Sequence, residues 1–174
     1  MVLAATLLLA ACWTSHGLLL EARDGVDAVK SGIYVDGGTD KTRLVSKGHG
    51  WYVASDGSIA EDKAADDALP LMLARLPGED RRLFVFAAGM GKGCVADHAR
   101  CEGWVYGLLR VNGDSVDEAL PDCDKTKDLA LRFGAKNDGG SGDPCDFQSR
   151  DDLMRALSAY GQTPGAFEKT IRRQ

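Results

Sequence analysis

Cys94, His98 and Cys101 are spaced i, i+4 and i+7, which on a helix would line one face. Two sulfurs and an imidazole nitrogen suit Zn²⁺ or copper, and Asp97 or Glu102 stands close enough to complete a set. A different chemistry competes for the same atoms. Gly93 and Gly103 bracket the segment as loop signals, and a Cys94–Cys101 disulfide would leave His98 exposed on a closed loop. The disulfide is the expectation, and no metal is assigned.

Other reactive patterns are thinner. Ala88-Gly89-Met90-Gly91-Lys92-Gly93 follows an apolar run, as a phosphate-binding loop would. That loop needs Ser or Thr after the lysine to hold Mg²⁺, and here Gly93 follows Lys92. Ser46, Ser55 and Ser58 lie near His49 and Asp56, without the Gly-x-Ser-x-Gly turn that activates a serine. The carboxylate pairs Asp66-Asp67, Asp122/Asp124 and Asp151-Asp152 read as solvated or helix-end charges. Asp138–Asp143 has glycines and acids but lacks the alternating ligands and final Glu of an EF-hand. No catalytic residue and no cofactor is expected.

Trp51, Tyr52, Trp104 and Tyr106 form the remaining candidate, a possible binding surface. Gly50-Trp51-Tyr52-Val53 before Asp56-Gly57 echoes Gly103-Trp104-Val105-Tyr106 before Asn112-Gly113. Side chains alternate across a strand. One aromatic of each pair should therefore enter the core, while its neighbour can reach a glycan or protein. The competing outcome is that both tryptophans pack inside.

The elements that must position these residues are mostly short strands. Gly32–Val35, Thr42–Ser46, Trp51–Ala54, Leu71–Leu76, Leu83–Ala88 and Gly103–Val111 read as strands between turn signals. Asp56-Gly57 and Asn112-Gly113 are expected hairpin turns. Leu129–Phe133 reads as a further strand, and Phe167, Lys169 and Ile171 alternate as a last one. The clearest helix is 149–160: Ser149 caps it, Leu153, Leu157 and Tyr160 share a face, and Gly161 is the expected terminator. The fold class predicted is α+β, mainly antiparallel hairpins with a C-terminal helix, in a single domain.

The 174 residues carry a formal net charge of −5. That balance lacks the basic footprint of a nucleic-acid binder and the polybasic stretch that grips anionic lipid.

Leu9-Ala10-Ala11-Cys12 closes an apolar start without charge, and it resembles the lipobox of bacterial lipoprotein signal peptides. The resemblance implies cleavage before Cys12, acylation of that cysteine with fatty acid, and attachment to the cell envelope. Trp13, where aspartate would signal inner-membrane retention, implies the outer membrane, facing the periplasm. Residues 1–11 are then signal peptide, 12–30 a lipidated tether, and 31–174 a globular β-rich domain. Cys94, Cys101, Cys123 and Cys145 are left as an even set in a compartment that permits disulfides. They allow three pairings, of which Cys94–Cys101 with Cys123–Cys145 closes the shortest loops. The function expected is a non-catalytic binding or accessory module, its partners the membrane and an envelope protein or glycan. The alternative is a periplasmic hydrolase using carboxylates or a metal near Cys94, His98 and Cys101.

Overall fold

The computed structural model describes residues 12–38, 40–59, 68–78, 80–167 and 169–174. Its strands are β1 (Trp13–Ser15), β2 (Gly32–Val35), β3 (Lys41–Gly48), β4 (Trp51–Asp56), β5 (Leu69–Arg75) and β6 (Leu83–Met90). They continue with β7 (Gly103–Asn112), β8 (Ser115–Ala119), β9 (Cys145–Asp146) and β10 (Lys169–Arg173). Two α-helices are described, α1 (Cys123–Arg132) and α2 (Arg150–Gly161).

Eight strands close into an antiparallel barrel, in the order β2-β3-β4-β5-β6-β7-β8-β10 and back to β2. With 41% strand and 18% helix, the protein is mostly β, which corrects the α+β expectation. The correction has a physical cause. Most of the barrel strands were legible locally, but closure depends on β10 returning past both helices to pair Arg172 with Val35 and Arg173 with Tyr34. No local pattern encodes that contact.

Cross-strand register sorts every side chain to one face. Tyr34, Leu44, Tyr52, Leu73, Phe86, Leu109, Val116 and Ile171 come from all eight barrel strands and pack as one cluster, so they fill the lumen. Small barrels are stabilised in this way. Gly107 faces Phe86 across the β6–β7 pair, and a Cβ there would sit 2.5 Å from the Phe86 ring. Its missing side chain is the space that the ring occupies.

A second core lies outside the barrel. Met72, Ala74, Val85, Ala87, Trp104, Tyr106 and Leu108 alternate with the lumen residues of β5, β6 and β7. They pack against Trp13 from β1, Phe147, and Leu153, Leu157 and Tyr160 from α2. β1 pairs with the first half of β7, Trp13 opposite Tyr106, and β9 pairs parallel to β1. Residues 12–30, expected as a tether, thus include a barrel-bound strand and the fully buried Trp13.

Local expectations fared unevenly. Ser149 caps α2, and Leu153, Leu157 and Tyr160 are buried. Gly161, however, is the last residue of α2 rather than a left-handed stop, and a Cβ there would meet Leu108 at 2.9 Å. Leu129–Phe133 belongs to the end of α1 and its cap, not to a strand. Asp122 begins that helix by accepting from the Asp124 N–H, and Gly134, at φ +86°, ends it in the left-handed region. Asp56-Gly57 turns the chain but makes no two-residue hairpin, since β5 begins only at Leu69. At the other predicted turn, Gly113 and Asp114 join β7 to β8.

Candidate functional site

On the outer face of the β4–β7 wall, the register aligns Trp51 with Met72, Met72 with Ala87, and Gly89 with Trp104. Gly89 has a specific task there. A Cβ on it would stand 2.6 Å from Cys94 Sγ, 2.8 Å from Cys101 Sγ and 2.8 Å from Pro70. The bare glycine is therefore the seat on which a Cys94–Cys101 disulfide rests. The bond closes the connection between β6 and β7. Within it Asp97 caps a 3₁₀ turn, His98–Arg100, by accepting from the Ala99 N–H.

This turn delivers His98 to Trp51. The two rings stack with centroids 3.9 Å apart and planes inclined by 20°. Trp104 meets both edge-on, at 6.1 Å from Trp51 and 6.2 Å from His98. His98 is exposed, Trp51 half-buried and Trp104 buried. The result is a three-ring platform with a polar outer member and a rigid base. Its chemistry is that of recognition: a flat π-surface plus an imidazole that donates and accepts hydrogen bonds.

The four predicted aromatics do not form one surface. Tyr52 points into the lumen, where its hydroxyl donates to the Val29 carbonyl at 2.9 Å and accepts from the Val29 N–H at 3.1 Å. Tyr106 lies in the outer core, hydrogen-bonded to Ser15 Oγ at 2.7 Å and accepting from the Leu19 N–H at 2.9 Å. Burial pushes its phenol up to about 12. Of the four, Trp51 alone reaches solvent appreciably, where His98 stacks on it while Trp104 meets it edge-on from the buried side. Alternation along β4 separates Trp51 from Tyr52, but that Trp51 and Trp104 share a face follows only from the strand register. The placement of His98 over them needs the register of β4 to β7 and the closed loop.

The thiol–imidazole metal reading is overturned by the bond itself: both thiolates of Cys94 and Cys101 are spent in the disulfide. Among the described residues, no group of three or more His, Cys, Asp or Glu side chains is arranged to hold a metal. Lys92, of the glycine-lysine stretch, is exposed between Gly91 and Gly93, both in the left-handed region. Asp66 and Asp67 lie outside the described residues. Asp122 caps α1, and Asp151 and Asp152 occupy the first turn of α2, so these carboxylates serve helix ends.

In the 136–146 loop the carboxylates are used locally. Asp143 accepts from the Gly140 N–H at 2.7 Å, and Asp124 of α1 accepts from the Gly142 N–H at 3.1 Å. Cys123–Cys145 ties this loop to α1, the second of the expected pairings. Two shallow grooves flank these parts. One, of about 560 Å³, runs beside the loop past His16, Glu102, Lys136 and Asp146. The other, of about 490 Å³, lies between β8, β10 and α2, where Glu118 and Lys169 pair at 3.7 Å.

Cys12, the predicted lipidation site, stands outside both disulfides. It is 2% exposed, its carbonyl accepts from the Cys145 N–H, and it bridges to Asp122. Burial, and then the Asp122 carboxylate, push its thiol up to about 11. No protein-family model, curated protein or solved structure matches this chain.

Proposed function

We propose that this chain is an envelope lipoprotein whose folded part is a non-catalytic binding module facing the periplasm. The observation that carries the binding role is the stack of exposed His98 on half-buried Trp51, on a wall stiffened by a disulfide. Paratope-like surfaces favour such aromatics because they offer large contact area at low entropic cost. The filled lumen directs recognition to the outside of the barrel. The two disulfides fit an oxidising compartment, and the Leu9–Cys12 motif supplies the address.

An anchor at Cys12 has a mechanical consequence. Because β1 begins at the next residue, almost no slack would separate the lipid from the barrel. Acylation would also require the Cys12 side chain to turn out of its buried seat beside Asp122 and Cys145.

Two measurements test the reading. A photoreactive phenylalanine analogue at position 98 should crosslink to one envelope component, while the same group at Arg172, exposed on β10 across the barrel, should not. Equal, unselective crosslinking from both positions rejects the binding role. Alkyne-labelled fatty acid should enter the wild-type chain and be lost in Cys12→Ser, and label retained in that variant rejects the anchor.

A further inference from the structure

We infer that the Cys94–Cys101 disulfide is a redox latch that holds His98 over Trp51, so that reduction uncovers the indole face. Apart from the Glu102 N–H bond to the Met90 carbonyl at its base and the Asp97 N–H bond to the Gly93 carbonyl, the connection between β6 and β7 has little else to hold it in place. Its 96–100 stretch is exposed, and its hydrogen bonds there are local: Arg100 N–H to the Asp97 carbonyl and Cys101 N–H to the His98 carbonyl. The loop meets the wall through the two sulfurs seated on Gly89 and Pro70 and through the His98 ring. A single ring contact offsets little of the backbone entropy of ordering an exposed segment of this length, whereas a covalent closure removes a substantial part of that entropy beforehand.

The two disulfides differ in access. Cys123 and Cys145 are both fully buried, and Cys94 is 1% exposed, but Cys101 is only half-buried. A dithiol reductant therefore reaches Cys101 first. Its thiolate attacks Cys101 Sγ, the S–S bond breaks, and Cys94 leaves as a thiolate that takes up a proton. The reductant's second thiol then displaces Cys101 as a thiol, and the reductant departs as a cyclic disulfide. Two electrons pass to the protein, and the loop is open. As regulation of the recognition platform this rests on the reading above, but the latch is tested without any ligand.

The protein has three histidines, His16, His49 and His98, so their ring C–H signals can be resolved by NMR and assigned with His98→Ala. In the oxidised protein the His98 signal should be displaced upfield by the ring current of Trp51. Dithiothreitol, at a level where alkylation and mass spectrometry find Cys94 and Cys101 labelled and Cys123 and Cys145 protected, should return it to the position of a free histidine. The signals of core methyl groups should persist. Cys94→Ser/Cys101→Ser gives the same reading without reductant and retains Cys123–Cys145 if the reagent opens both bonds. A His98 signal that stays upfield in the reduced, folded protein overturns the latch, as does one that is never displaced. A signal that stays upfield after reduction leaves the binding role untouched, whereas one that is never displaced removes the stack from both readings, and the crosslink from position 98 then decides the binding role by itself.

Discussion

The barrel has two unlike walls. The β5–β6–β7 wall is buried on both faces: Leu73 and Phe86 point into the lumen, while Met72, Val85, Ala87, Tyr106 and Leu108 meet β1 and α2 on the outside. The wall of β10, β2, β3 and β4 is buried on the lumen side only. Its outward residues Ile33, Val35, Arg43 and Val45 are half-exposed, without helix cover among the described residues. The difference is written in the chain. Leu71-Met72-Leu73-Ala74 and Leu83–Ala88 are continuous apolar runs, as two-sided burial requires. Lys41–Ser46 instead is mostly polar, with Leu44 its one buried side chain, as suits a strand without two-sided burial. Stability should therefore concentrate in the covered wall and its staples, and exposed chemistry should sit where the cover ends, as it does at Trp51 and His98.

The sharpest way to break this contrast is Trp13→Ala. Trp13 is fully buried between Phe147, Tyr160 and the barrel, with ring centroids 5.2 and 5.7 Å away, and its indole N–H donates to Thr126 at 2.9 Å. Its loss should cost about 3–5 kcal/mol in urea unfolding. Replacing both Cys123 and Cys145 by Ser should cost about 2–4 kcal/mol in the same measurement, because the bond ties the outer loop to α1. Gly107→Ala crowds Phe86 and should cost about 1–3 kcal/mol, with partial recovery when Phe86→Leu is added. On the open wall, Ile33→Ala should cost no more than about 1 kcal/mol. An Ile33 variant as damaging as the Trp13 variant would erase the distinction between the walls.

The smallest effect is electrostatic and belongs to the rim. The Arg82 side chain and backbone N–H hydrogen-bond to Asp80 and hold its carboxyl below the usual carboxylate range, with help from the Arg110 charge. A carboxyl lowered on folding stabilises at neutral pH and loses that contribution as the pH falls through its depressed value. Thermal unfolding followed into acid should show this loss in the wild type and a flatter acid limb in Asp80→Asn. Exposure of the pair keeps the effect modest.

Much of the fold was legible where the signal is local. The hairpin strands, the Ser149 cap and the buried face of α2 follow from alternation and capping, which involve residues close in sequence. Cys94–Cys101 and Cys123–Cys145 were the pairing that loop length favoured once Cys12 was set aside. What misled was equally physical. Leu129–Phe133 has apolar residues that suit a strand, but the Asp122 cap and the Gly134 stop commit it to α1. Gly161 invited a conformational reading, but it is there for lack of volume against Leu108, as Gly107 is against Phe86. The site was half visible: the aromatics were singled out, but Tyr52 and Tyr106 went to separate cores and His98 replaced them beside Trp51.

By itself the sequence determined most of the barrel strands and the last helix, because these depend on neighbours in the chain, and it ranked the cysteine pairings by loop length without excluding the other two. Only the tertiary structure decided that the sheet closes, that Trp13 is core rather than tether, and that His98 lies on Trp51. Those three depend on the register between strands far apart in sequence, from β10 with β2 to β4 with β7, and register is set by packing over the whole barrel rather than by any one segment.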